Sequence, residues 1–238
     1  MRIFKDCMEM IKEVERDLFE MGIKYQSKTV QDKDVSLDED FQTLELPGYA
    51  YKISNLEDKK ISEMLEYMKM PEDWVEAEFQ ERIHPELQNP GKAYELYDVW
   101  KEYIHDGQFS YTYNERIRQQ LPYILKELIK RSNTRQTVIT VYDKNQDMRS
   151  WGGKARIPCS MHYQIMLRNK KLYMIYVMRS CDFLKHFPAD VALAIKLQKY
   201  ILYYLNLETN SQINLGSFTH FIGSLHAFNG DLKKRGIF

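Results

Sequence analysis

Ile3, Cys7, Met10, Ile11, Val14 and Leu18 fall at helical spacing, on one face of a 3.6-residue repeat. The spacing predicts an amphipathic helix over 3–21, with Gly22 as its stop. A polar run, QSKTVQDKDVSLDED, follows it. Two apolar stretches within 42–53 then read as a strand pair broken by Pro47-Gly48. Amphipathic patterns cover 57–69, 71–80, 91–105 and 114–131. Pro71 opens the second of these, where its missing N–H is harmless.

The texture changes near residue 135. TVITVY (137–142) is short and β-branched, which predicts a strand. HYQIMLR (162–168) and KLYMIYVMR (171–179) predict two more, joined by Asn169-Lys170 in a tight hairpin. A long apolar helix is expected from Pro188 to Leu205, and a last strand through 213–228. No internal repeat or low-complexity linker divides the chain. The expectation is a single α+β domain over 1–238, helical at its N-terminal end, then an antiparallel-rich mixed sheet carrying one long buried helix.

Composition narrows the partners. Across 238 residues, 34 Lys and Arg balance 34 Asp and Glu. A neutral chain offers no global field for DNA, RNA or an anionic membrane, so a phosphate ligand would rest on a few local cations. Three scattered cysteines (Cys7, Cys159, Cys181) suit neither a disulfide framework nor a metal site, and imply a reducing, cytoplasmic setting. Charges recur throughout the N-terminal stretch, so neither a signal peptide nor a membrane span is expected there. The 17 Tyr, 11 Phe and 3 Trp fit either a ligand pocket or a tyrosine-rich core.

Several residues carry candidate chemistry, each with a plainer reading beside it. Cys159, after Pro158, is a possible nucleophile or an inert core thiol. Arg179-Ser180-Cys181-Asp182 offers a guanidinium and a hydroxyl for a monophosphate, or a strand-end salt bridge. Arg135 sits at a helix-to-strand turn as a ligand cation or a solvated one. His226 is a catalyst or a structural histidine, and Glu63 a buried acid or half of a surface helix pair. Dinucleotide, P-loop and metal-binding signatures are absent from the sequence.

The order of these pieces is more specific than any one of them. Pro158-Cys159 with Gln164, then Arg179-Ser180-Cys181-Asp182 with Pro188, then Gly216, Gly223 and His226 resemble the thymidylate synthase family over roughly residues 110–228. The resemblance implies that Cys159 adds to carbon 6 of a pyrimidine nucleotide and that Arg179 and Ser180 bind its phosphate. It implies that Arg135 reaches across a homodimer to the partner's phosphate, although Gln136 stands where the family has a second arginine. Asp182 matches a residue contacting the folate pterin, and His226 one near the ribose. Phe228 replaces the family's usual tyrosine. Glu63 is matched to the catalytic glutamate, Tyr113 to an active-site tyrosine, and Lys28 to an N-terminal phosphate arginine.

One departure bears on the substrate. Asp190 stands where thymidylate synthases have asparagine. An amide serves uracil's acceptor O4 and donor N3–H together; an ionised carboxylate only accepts, which suits cytosine's amine and repels O4. With GSLH, this looks like the deoxycytidylate hydroxymethylases of T-even-type bacteriophages. The plainer reading of Asp190 is a helix cap. The resemblance thus implies a dCMP 5-hydroxymethyltransferase using 5,10-methylenetetrahydrofolate as co-substrate, homodimeric, without metal, membrane or nucleic acid, and in the host cytoplasm if viral. The sequence's end at Gly236-Ile237-Phe238, short of the family's closing segment, and His220 in place of a tryptophan both favour water over hydride. A dUMP- or CMP-specific enzyme, or a non-catalytic nucleotide- or RNA-binding descendant, stands as the alternative.

Overall fold

The computed structural model describes residues 1–30, 33–148 and 156–236. Ile237 and Phe238, on which part of the open-site expectation rests, lie outside these. A short strand β1 (Arg2–Phe4) precedes helix α1 (Cys7–Met21), so Ile3 belongs to the sheet and not to the helix. Asp6 caps α1 by accepting from the Met8 and Glu9 N–H groups. Strand β2 (Ile23–Gln26) and the small β3–β4 hairpin (Thr29–Val30, Lys33–Asp34) follow.

The expected pair at 42–53 is one continuous strand, β5 (Gln42–Ile53). From Thr43 to Ile53 it pairs antiparallel with the last strand. On its other side β2 covers 42–45 and β1 covers 51–53. Pro47 therefore falls in the gap between them, where a residue lacking an N–H can sit in a strand.

Helices α2 (Asp58–Tyr67) and α3 (Glu72–Ile83) match their amphipathic patterns. The helix expected over 91–105 is instead two 3-10 turns, Ala93–Leu96 and Asp98–Tyr103. That over 114–131 divides into α4 (Tyr113–Ile117), opened by a Thr112–Glu115 capping box, and α5 (Leu121–Lys130). Strand β6 (Val138–Thr140) and the short α6 (Lys144–Asp147) lead to β7 (Ser160–Arg168) and β8 (Lys171–Asp182). The β7–β8 turn places Asn169 and Lys170 at φ 49° and 55°, the left-handed pair a tight hairpin requires.

Helix α7 (Phe187–Thr209) is buried along most of its length, as its apolar sequence predicts. Strand β9 (Asn214–Phe228) and α8 (Asn229–Lys234) complete the chain. The main sheet runs β1-β5-β9-β8-β7-β6, with β2 also on β5. The β1–β5 and β8–β9 pairs are parallel and the others antiparallel, the mixed α+β architecture expected. Among the described residues no helix is long and apolar enough to cross a membrane.

Candidate active site

Antiparallel pairing of β7 and β8 brings the residue before one strand against the end of the other. The Arg179 N–H donates to the Cys159 carbonyl at 2.8 Å. The Arg179 side chain folds back over this junction, with Nε donating to Pro158 O and Nη2 to Ile157 O, each at 2.9 Å. Nη2 lies 3.8 Å from Cys159 Sγ, and the Ser180 hydroxyl 3.5 Å from the same sulfur. A half-buried thiol beside a guanidinium and a hydroxyl has the donors a sulfur anion needs. Gly223 of β9 packs so close to β8 that a Cβ there would sit 2.6 Å from Arg179 O. Glycine is required by that approach.

Asp190 reaches the cluster through Cys181. Cys181 Sγ lies 3.5 Å from Asp190 Oδ2 on the first turn of α7. His186 holds the N-cap position, so Asp190 does not cap the helix. Enclosure pushes the Asp190 carboxyl up to about 6, against the Arg82 charge and the Cys181 hydrogen bond, which favour the carboxylate.

A cleft of about 550 Å³, its open mouth included, reaches the cluster through Tyr113, while Cys159, Arg179, Ser180 and Asp190 are not in its lining. Its walls include Trp74, Tyr94, Trp100, Phe109, Tyr113 and Glu78, with Arg82 and Arg156 as cations. Trp74 and Trp100 stack with centroids 6.0 Å apart, and Arg156 lies 4.5 Å from the Trp100 ring centre. Tyr113 ties the cleft to the nucleophile strand, its hydroxyl 2.9 Å from Ser160 Oγ. Ser160 in turn bonds the Tyr176 hydroxyl. Parallel rings then run Tyr163–Tyr176–His220–Phe187, with centroids 4.4, 4.7 and 6.1 Å apart. Tyr51 OH lies 2.9 Å from His220 Nδ1, and burial pushes that imidazole down to about 3, so it is neutral.

The structure thus brings together Cys159, Arg179, Ser180, Tyr113 and Asp190. His226 and Asp182 face each other in the β8–β9 register. Asp182 is occupied locally, accepting from the Leu184 and Lys185 N–H groups, and burial raises its carboxyl. Gln164 lies apart from the cluster, paired with Val138 and Ile175 and donating to Arg135 O at 3.0 Å. Arg135 is exposed beside it. Lys28 is exposed beyond β2, and its carbonyl accepts from the Val35 N–H.

Glu63 stands on α2. It pairs with Lys60 at 2.5 Å on α2 and is not among the cleft residues. Glu78 and Glu81, one helix later, are carboxylates that line the cleft, and Glu81 is taken up by the Lys92 and Ala93 N–H groups. Sequence reasoning missed Glu78 and Arg82. The available signal was an i,i+4 acid–base pair on a helix whose Trp74, Val75 and Phe79 are core residues.

A sequence profile of the thymidylate synthase family matches residues 16–235. A Methanocaldococcus jannaschii protein named "Putative thymidylate synthase" is 28% identical over 182 residues, covering 65% of this chain and 79% of that protein. Thermostable thymidylate synthase A from Bacillus subtilis superposes with a TM-score of 0.70 over all of this chain and 83% of its own, at 15% identity, a likeness of fold. The profile spans nearly the full length, and the chain belongs to the thymidylate synthase family.

Proposed function

We propose that this one-carbon transferase of the thymidylate synthase family is a deoxycytidylate 5-hydroxymethyltransferase. The observation that carries the reading is Asp190, an enclosed carboxyl on the first turn of α7, joined to the Cys159 cluster through Cys181. As a carboxylate it accepts from cytosine's exocyclic amine and confronts uracil's O4 with a second acceptor. That mismatch, desolvated, amounts to a few kcal/mol, so roughly 10²-fold in base choice.

Cys159 Sγ adds to carbon 6 of the pyrimidine, which makes carbon 5 nucleophilic. Arg179 and Ser180 bind the 5′-phosphate as well as flanking the thiol, and His226 lies toward the sugar. Tyr113 orders the wall near the base. Glu78 replaces Glu63 as the carboxylate that moves protons, because it lines the cleft and, unlike Glu81, is not engaged by the Lys92 and Ala93 N–H groups. The flat aromatic lining of Trp74, Trp100 and Tyr94 fits a pterin ring. 5,10-Methylenetetrahydrofolate, when bound there, supplies the one-carbon unit. The charged lining of Glu78, Arg82 and Arg156 favours water as the final reactant at the nucleotide's new substituent, giving a hydroxymethyl product.

The working unit is a homodimer. The face of the sheet bearing Gln164, Met166, Ile175 and Val177 is only half-buried, and Phe221 is exposed at 41%. An apolar sheet face of this kind suits a second copy. Arg135, exposed beside Gln164, is placed to lend its charge to the other subunit's phosphate. Incubation with methylenetetrahydrofolate and dCMP, dUMP or CMP, read by mass, tests the whole reading. A hydroxymethyl product from dCMP is expected. Turnover of dUMP alone would assign a thymidylate synthase or dUMP hydroxymethylase instead.

A further inference from the structure

The carboxylate and the thiol assigned to the reaction stand far apart in the chain, Glu78 on α3 and Cys159 immediately before β7. A continuous series of side-chain contacts runs between them. Arg82 Nε donates to Glu78 Oε1 at 2.8 Å, one helical turn earlier, and the two side chains are only 9% and 21% exposed. The Arg82 guanidinium carbon also lies 3.8 Å from the centre of the Tyr113 ring, closer than any other cation–ring contact among the described residues. The Tyr113 hydroxyl lies 2.9 Å from Ser160 Oγ, and Ser160 follows Cys159. Glu78, Arg82 and Tyr113 line the same cleft.

The backbone supports the same arrangement. Asn114, the residue after Tyr113, is buried, and its Nδ2 donates to Glu81 O at 2.8 Å and to His84 O at 2.9 Å. Those bonds fasten α4 to the end of α3, so the Tyr113 ring meets Arg82 in a set register. A guanidinium is planar and rigid, so its edge donates to a carboxylate while its face lies on a ring. Glu78 Oε1 is held in this way, whereas Oε2 has no hydrogen-bond partner among the described residues. One oxygen is fixed to the wall and the other is left for the cleft.

We infer that Arg82 is a positioning residue for proton transfer: bonded to Glu78 and stacked on Tyr113, it holds the Glu78 carboxylate in a fixed place relative to the Cys159 strand. The inference rests on the reading of Glu78 as the carboxylate that moves protons. A glutamate ends three rotatable bonds from its backbone, and without this anchor its carboxylate spreads over several rotamers. Fewer molecules then hold it where the reacting atoms need it, and the loss falls on kcat. Arg179 and Ser180, assigned to the phosphate, lie outside this series of contacts, so nucleotide binding is spared.

The test is a double-mutant comparison in steady-state kinetics, with methylenetetrahydrofolate and the nucleotide that the wild-type protein turns over, dCMP on the reading above. Arg82→Met removes the donor and keeps an apolar side chain of similar length in the enclosed site. It should lower kcat by about 10–10²-fold and change the nucleotide KM by less than about threefold. In a Glu78→Gln background the same substitution should cost less than about twofold more, because the group it positions is already gone. An arginine that only holds the fold costs kcat by the same factor in both backgrounds. If Arg82→Met does not fold, Arg82→Lys makes the same comparison, with a loss of about 3–10-fold, since lysine keeps the charge without the planar fork. A loss that persists in full in the Glu78→Gln background, or wild-type kcat without Arg82, overturns the inference and leaves Glu78 in place. Wild-type kcat in Glu78→Gln overturns the reading of Glu78 together with the inference. A wild-type protein that turns over none of dCMP, dUMP and CMP overturns the proposed function itself.

Discussion

Replacing Asp190 with asparagine should make the protein more stable at neutral pH while reversing its choice of base. The shape of the side chain is kept and the buried charge is removed. The Asp190 carboxyl moves from an ordinary 3.8 to about 6 on folding, roughly two pH units. Because the folded value is raised, the folded state holds its proton longer than the unfolded chain does. Below 3.8 both states are protonated and the group contributes nothing. Between 3.8 and about 6 only the unfolded chain is ionised, and stability falls by about 1.4 kcal/mol per pH unit. Above the folded value the penalty is constant at roughly 3 kcal/mol, a sizeable share of a domain's usual ~5–15 kcal/mol. Asp190→Asn should therefore melt roughly 6–12 °C higher at pH 7 for a chain of this length. The two proteins should converge as the pH falls below the unfolded value. The assay is thermal or denaturant unfolding of both across that range, which cancels every other titrating group. A stability difference that does not vary with pH would refute the buried-charge account. In turnover, the same variant should shift from dCMP toward dUMP by about 10²-fold; an unchanged preference would remove Asp190 from base recognition.

Glu78→Gln should lower turnover by about 10²–10⁴-fold, and Glu63→Gln by less than about twofold, in steady-state kinetics; equal losses would return Glu63 to the site. Cys159→Ser should abolish product and leave nucleotide binding measurable by calorimetry. Gly223→Ala must displace the Arg179 backbone, given a Cβ 2.6 Å from its carbonyl, and should reduce kcat/KM by roughly 10²-fold for a shift near 1 Å. Mixing unfolded Cys159→Ser and Arg135→Ala chains and refolding them together should regenerate activity that neither has alone. Failure to do so would rule out a phosphate contact between subunits.

The sheet was the most legible part of the sequence. The β7–β8 hairpin could be read because Asn169 and Lys170 separate two β-branched and aromatic runs, and because strand alternation is a local signal. Helix α7 was legible for its length and its nearly continuous apolar run. Residues 91–105 were misread because apolar and polar positions in a short segment fit 3-10 turns as well as one helix. Pro47-Gly48 was misread because whether a proline breaks a strand depends on which neighbour lies beside it, and that is tertiary information. In the site, Cys159, Arg179 and Ser180 were singled out by the order of their motifs, and the β7–β8 pairing places them side by side. Glu63 and Glu78 lie on successive helices, and packing decides which faces the cleft. The enclosure that raises the Asp190 carboxyl is built by elements far apart in sequence, beyond the reach of any local pattern.

The column of parallel rings gives the tyrosine excess a geometric meaning. It begins at Tyr163 and Tyr176, on the strands flanking the nucleophile, and ends at Phe187, the first residue of α7, three positions before Asp190. Stacked rings resist compression, so the column braces β7 and β8 against the start of α7, which under the proposed function would hold Cys159 and Asp190 at a set separation. A smaller residue within it would alter that separation before it altered any chemistry. Under the proposed function, base choice would then be partly a matter of distance, with two tyrosines in the gauge.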